Sequence, residues 1–398
     1  MGKHSEAVNN SAHKTMEKQK KGIDIISQLP DELLIKILSL LPAADVTRSR
    51  ILSNRWKHLW AFLPNLHIVI PHSKGRANKL NDSVDQILAL RLTFQKFLLQ
   101  CSHGNDANHV KNWLRIVTQC KVEEFEFRSA VLLKPEVEIL FPCLKKMNLQ
   151  CMEFVDENLL MDLISRCPVL EELCLDKLRL TCKSHMVKIS SLSMRRLTIK
   201  ESDFKNQELV IDIPKLEYLH LKSCYFRSYT LVNPASLVEA KISDSSNYLI
   251  QLLRFVSSTK IMTLTRKSLL ALGGIQNINL PMFPNLVKLE IVGEWNPLLN
   301  LLNNMPNLEC LSFPNGLLSY ISEWNPPNED QAPPCVRFKL KEIFIVPNLT
   351  LQERAVLSYL LKHANILEKL TVGEDYSFNH EQWFNMQCIS KSCRIEFV

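Results

Sequence analysis

The sequence predicts an α/β chain in which a small all-helical module precedes a solenoid with parallel strands on one side and mixed helices and loops outside. Three observations carry this expectation. An apolar triplet at positions 0, +3 and +5 recurs twelve times between Phe94 and Val372. Ahead of it, residues 29–60 hold Leu, Ile and Trp at helical spacing, interrupted by prolines. The composition, 46% hydrophobic and 22% charged over 398 residues, suits a folded chain with room for a small domain and a repeat array.

Residues 1–22 are polar and basic and read as a disordered basic tail, with Lys18, Lys20 and Lys21 open to a second reading as a nuclear-import signal. Met1-Gly2 invites myristoylation, but Glu6 stands where that signal wants Ser or Thr. The 12 cysteines are scattered, often in apolar surroundings, and follow no secretory leader. Reduced thiols in the nucleus or cytoplasm are therefore expected. The apolar runs are too short for a bilayer, so no membrane partner is expected. The net charge of +7 is spread along the chain, which gives no reason to expect nucleic acid.

Order is expected from Ile23. Pro30 can open a helix because its missing N–H is not needed in the first turn, and Asp31 and Glu32 suit the positive helix end. Leu33, Leu34, Ile37, Leu38 and Leu41 follow at helical spacing, and Leu40 widens the stripe towards a second face. Pro42 stops this helix, and Asp45 caps a second that runs through Val46, Ile51 and Leu52. A third carries Trp56, Leu59 and Trp60 and ends at Pro64. So short a module cannot bury all of this surface alone. Part of it packs on the rest of the chain or meets an outside partner.

Residues 24–63 closely resemble an F-box of the plant type, through Leu29, Pro30, Leu33, Ile37, Leu38, Leu52, Ser53, Arg55, Trp56 and Trp60. Arg50 and Asn54 depart from the family pattern, which usually has a small residue and a base there. The resemblance implies docking to a Skp-type adaptor, and through it to a cullin, by Leu29, Pro30, Leu33, Ile37, Leu40, Trp56 and Trp60.

The triplets begin at Phe94, Val122, Leu144, Leu170, Met194, Leu216, Leu237, Thr259, Leu286, Leu308, Leu340 and Leu367. Their spacing of mostly 21–28 residues and their Leu-x-x-Leu-x-Leu core match leucine-rich repeats. Pro142, Pro168, Pro214, Pro284 and Pro306 each stand two residues before a triplet and punctuate the start of its strand. Helical returns are expected over 110–118, 157–166, 249–256, 298–303 and 351–363, with the other returns irregular. The stretch Cys167-Pro168-Val169-Leu170-Glu171-Glu172-Leu173 resembles repeats of plant F-box proteins, and Leu340–Val372 with Ser392–Phe397 is similar to their FBD domain. That region would cap the open end of the array. The expected organisation is tail 1–22, F-box 23–64, linker and helix 65–93, leucine-rich repeats 94–330 and FBD-like repeats and cap 331–398.

Strand alternation turns the triplet inward and leaves the residues at +2, +4 and +6 on the concave face. On neighbouring strands this gathers Arg196, Lys200, Tyr218, His220, Lys222 and Lys241. The group reads either as a target-binding patch for an acidic or phosphorylated segment or as an ordinary solvated face. No catalytic constellation stands out. Gly273-Gly274 lacks the surroundings of a phosphate cradle, the histidines have no metal spacing, and Cys388 and Cys393 have no His partners. Neither cofactor nor metal is expected. The resemblance implies a non-catalytic substrate-recognition subunit of an SCF-type ubiquitin ligase holding an unknown protein target. The alternatives are an F-box/repeat scaffold without ligase function and a small-molecule receptor.

Overall fold

Each Pro-x-Leu step becomes a tight turn. The N–H groups of Leu144, Leu170, Leu216, Leu286 and Leu308 bond at 3.1–3.4 Å to the carbonyls three residues back, with the prolines at the second turn position, where a fixed φ is favourable. The computed structural model describes residues 25–41, 43–49, 52–59, 62–70, 85, 88, 94–101, 107–129, 140–154, 157–181, 185–204, 207–224, 226–273, 279–294, 298–318, 332–346, 351–373 and 388–398. The expected tail, Pro42, Arg50, Ile51 and Trp60 lie outside them. The chain divides into two compact units between Leu63 and Pro64.

The second unit is built on a 15-stranded sheet. Its strands run in chain order: β1 (Asn65–Ile70), β2 (Lys96–Cys101), β3 (Glu124–Ser129), β4 (Lys146–Gln150), β5 (Glu172–Asp176), β6 (Arg196–Lys200) and β7 (Tyr218–Lys222). They continue as β8 (Glu239–Ser243), β9 (Ile261–Thr265), β10 (Lys288–Glu294), β11 (Cys310–Phe313), β12 (Glu342–Ile345), β13 (Lys369–Val372) and β14 (Arg394–Phe397). The short strand Leu317–Leu318 adds to β10. Neighbours on this path are parallel, as a solenoid of repeats requires. Every residue of the twelve triplets is at most 4% exposed. Each buried Leu among them contributes about 1.5–3 kcal/mol. The weakest triplet holds as well, because Thr259 Oγ1 donates to Val256 O at 2.8 Å and so enters the core without an unpaired hydroxyl.

After β4, β5, β6 and β7 the chain turns through one left-handed residue each: Cys151 (φ 57°), Lys177 (φ 55°), Glu201 (φ 48°) and Ser223 (φ 52°). Their N–H groups bond to Asp176 O, Lys200 O, Lys222 O and Ser243 O at 2.7–2.9 Å, so each corner is tied to the end of the next strand. A left-handed non-Gly residue costs roughly 1 kcal/mol, which the corner bond offsets. Beyond β8 this ladder stops. Asp244 N–H instead donates to Ser268 Oγ at 2.9 Å, and the Ser268 hydroxyl donates to Ile242 O at 3.1 Å.

The expected helical returns form α4 (Ala107–Thr118), α5 (Glu157–Ser165), α6 (Leu249–Phe255), α8 (Leu298–Leu302) and α10 (Leu351–His363). Two more, α7 (Arg266–Gly273) and α9 (Pro334–Phe338), were not expected. Two corrections follow from the tertiary structure. Residues 65–70, expected as linker, form β1, whose Leu66, Ile68 and Ile70 alternate into the core. The returns expected to be irregular contain a second parallel sheet of Met186–Ser190, Glu208–Asp212 and Ser228–Val232. Val187/Ile189, Leu209/Ile211 and Tyr229/Leu231 give that sheet its inward face. At the carboxy end, among the described residues, β14 lies at the sheet edge with Ile395 and Phe397 half-buried.

Candidate functional site

The first unit comprises α1 (Asp31–Ser39), α2 (Ala43–Ser49) and α3 (Asn54–Leu59) after a 3₁₀ turn at Ile26–Gln28. Pro30 stands immediately before α1, and Asp31 and Glu32 occupy its first turn. Arg55 of α3 reaches back to the start of α1: its Nε donates to Asp31 Oδ1 at 2.8 Å and its Nη2 to Leu29 O at 2.6 Å. Asp45, expected as the cap of the second helix, lies inside its first turn, where it pairs with Arg48 at 2.9 Å.

The apolar residues of α1 and of Leu40–Leu41 directly after it divide into two sets. Leu34 and Leu38 are 0% exposed and pack inside the unit with Val46, Trp56 and Leu59. Leu33, Ile37, Leu40 and Leu41 face outward, Leu40 being 81% exposed. Ile25, Ile26, Leu52 and Phe62 are also exposed, Pro30 is exposed and Leu29 is half-buried. Five of the seven expected docking residues (Leu29, Pro30, Leu33, Ile37 and Leu40) therefore stand at the surface. Trp56 does not: it is 4% exposed, because the packing of α3 on α1 turns its ring into the interior. Its indole Nε1 has no hydrogen-bond partner there. Trp60 lies outside the described residues.

On the main sheet the outward column follows the expected alternation. Register sets Arg196 beside Tyr218, then Thr198, His220 and Lys241 in one row, and Lys200 beside Lys222 in the next. The six expected residues thus share three adjacent strands. Ser243, at the +6 position of β8 and so on this face by the same rule, is buried and accepts a 2.7 Å bond from Thr265 Oγ1.

Much of the cationic charge is balanced locally. Lys222 pairs with Glu201 at 3.0 Å, Lys241 with Glu239 at 3.7 Å, and the Arg196 guanidinium stacks 3.9 Å from the Tyr218 ring centroid. Among the described residues no carboxylate lies within 4 Å of Lys200. The Lys222 hydrogen bond holds the Glu201 carboxyl below its ordinary value. Burial, then Lys200, Lys241 and Lys222, depresses His220 to about 4, so it is a neutral ring in this face at neutral pH.

A groove of ≈ 330 Å³ crosses β2–β7. One wall carries Glu124, Glu126 and Glu172 interleaved with Lys96 and Lys146, which span 3.6–3.8 Å to Glu124 and Glu172. The other carries Arg196, Lys200, Tyr218 and His220. Asn148 and Cys174 lie between them, the Asn148 carbonyl buried without a partner and the Cys174 thiol pushed up by burial. The alternation rule places Lys146, Asn148, Glu172 and Cys174 on this face from the sequence, and only Glu124 and Glu126 of β3, to which the rule applies equally, were left out of that column. Such a surface offers a polypeptide charges of both signs and one unpaired acceptor.

A family model described as the F-box domain matches residues 26–67. A second, described as FBD-associated F-box protein At5g56370, LRR repeats, matches residues 112–312. An F-box/LRR-repeat protein of Arabidopsis thaliana is 30% identical over 76% of this chain and 80% of its own length. Another protein of that description is 30% identical over 73% and 92%, and an F-box/FBD/LRR-repeat protein of the same plant is 28% identical over 92% and 93%.

Proposed function

This chain belongs to the F-box/LRR-repeat family, and from that premise we propose that it is the substrate-recognition adaptor of an SCF-type cullin-RING ubiquitin ligase. In this reading the first unit docks a Skp-type adaptor, and through it a cullin, while the outward face of the sheet holds a protein target. The chain performs no bond chemistry. It raises the effective concentration of target lysines near a charged conjugating enzyme.

One observation carries the reading: α1 is apolar on two sides, with Leu34 and Leu38 closed inside and Leu33, Ile37, Leu40 and Leu41 left in water. Exposing that many large side chains on one short helix is unfavourable unless another protein covers them. The docking set proposed is Leu29, Pro30, Leu33, Ile37 and Leu40. For the target, the basic wall around Lys200 and Arg196 favours an acidic or phosphorylated segment, with Tyr218, His220, Lys222 and Lys241 framing it.

The test is affinity capture of the full chain with the proteasome blocked, beside the Leu29→Ala/Pro30→Ala variant. The wild type is expected to bring down a Skp-type adaptor and a cullin, and the variant to lose both while keeping its targets. Adaptor-dependent ubiquitination of a captured target distinguishes a ligase subunit from a scaffold. A folded chain that associates with no Skp-type adaptor overturns the proposal. For the target face, Lys200→Glu is expected to abolish capture of an acidic target and leave the adaptor bound.

A further inference from the structure

The groove across β2–β7 has a floor unlike its walls. Register places Asn148, Cys174, Thr198 and His220 in one row across β4–β7. None of the four is charged at neutral pH, because burial raises the Cys174 thiol and depresses the His220 ring. The rows on either side are charged: Glu124, Lys146, Glu172 and Arg196 on one, Asp176, Lys200 and Lys222 on the other.

Most of those charges are already met. Lys146 spans Glu124 and Glu172, Arg196 stacks on Tyr218, and Lys222 turns to Glu201. Lys200 differs: among the described residues it has no carboxylate within 4 Å, its register neighbour Asp176 included. After burial, its ammonium acts on both Cys174 and His220, so it leans over the floor.

A second unmet group stands two strands away. Asn148 Oδ1 is buried and finds no hydrogen-bond partner. The residue itself is half-buried and lines the groove, and its terminal amide torsion is soft enough to turn the carbonyl to an incoming donor. A shielded acceptor without a donor is unfavourable, and a donor entering the groove removes that penalty. Strands lie about 4.8 Å apart, so β4 and β6 are separated by roughly 10 Å, the span of about three residues of extended chain.

We propose that the target enters this groove as an extended segment laid across the strands, an anionic side chain on Lys200 and a main-chain N–H about three residues away on Asn148 Oδ1. Uncharged residues between these two points pass over Cys174 and Thr198. The inference rests on the target-binding reading of this face and deepens it, adding a spaced donor and a neutral stretch to the anion.

The purified full-length chain, probed with capped degenerate peptides built around glutamate, phosphoserine or alanine, tests both levels. Binding is expected around glutamate or phosphoserine and not around alanine, with neutral residues enriched on one side of the anion. In a selected peptide, a single backbone N-methyl moved along the chain is expected to weaken binding about fivefold or more at the third residue from the anion, and less elsewhere. Asn148→Leu, which removes the acceptor, is expected to weaken the unmethylated peptide by a similar factor and to abolish the N-methyl effect. Lys200→Gln is expected to level the preference for an anion. Binding that ignores the anion, or no binding by any peptide, overturns the target-face reading and this inference together. Anion-dependent binding with no N-methyl-sensitive position in the wild type, or with the same sensitivity in Asn148→Leu, overturns this inference alone.

Discussion

Replacing Leu33 or Leu34 by alanine removes the same branched end from neighbouring positions of α1, yet the two changes are expected to fail in opposite ways. Leu34 is 0% exposed. Its truncation leaves a cavity in a three-helix unit and is expected to cost about 2–5 kcal/mol, a large part of what so small a unit can hold. Leu33 is 47% exposed. About half of its burial contribution is absent already, so Leu33→Ala is expected to cost about 1 kcal/mol or less in folding. In adaptor binding the order reverses. An apolar anchor at the centre of an interface contributes about 1–2 kcal/mol on truncation, roughly 5–30-fold in affinity. Adding Leu40→Ala, at a residue 81% exposed, deepens the loss with almost no folding cost. The assay pairs amide hydrogen exchange of α1 in the full chain with calorimetric titration of a purified Skp-type adaptor. Fast exchange in Leu33→Ala equal to that in Leu34→Ala, together with unchanged adaptor affinity, would refute the division of this helix into an inner and an outer face.

Three further outcomes are expected. His220 is depressed from 6.5 to about 4 in the fold, so the unfolded chain binds the extra proton first as pH falls. Its stabilising contribution is present above 6.5 and lost between there and 4; after allowance for partial exposure it is on the order of 1–2 kcal/mol, and His220→Gln is expected to flatten that part of a urea-midpoint profile. Gly293 has φ 142°, and a Cβ there would stand 2.5 Å from Arg266 Cα, so Gly293→Ala is expected to destabilise by about 2–5 kcal/mol and to displace the start of α7, read by melting and by exchange at Lys267. Tyr229 is buried and its hydroxyl donates to Asp244 Oδ2 at 3.0 Å; Tyr229→Phe is expected to cost about 1–3 kcal/mol in thermal unfolding, because the buried carboxylate loses a donor.

Sequence alone determined the repeat. The triplets and the prolines before them are local rules, an inward alternation and a fixed φ, and both act within a few residues of each strand. The same locality made the outward column legible, down to which of Arg196, Lys200, Tyr218, His220, Lys222 and Lys241 would be neighbours. Tertiary structure decided what depends on residues far apart in the chain. Trp56 and Leu33 read alike as exposed-side apolar residues, and only the packing of α3 on α1 sends one inward and leaves the other in water. Lys222 reads as a free cation until the corner after β6 sets Glu201, 21 positions away, beside it. The crossing of Lys267 over the sheet was not legible at all: α7 follows β9 directly, Ser268 takes the Asp244 N–H, and Lys267 reaches Ser223, a residue 44 positions away. Periodicity reports which way a side chain points; how charges offset one another, and where space is left between them, is set by contacts that only the assembled sheet creates.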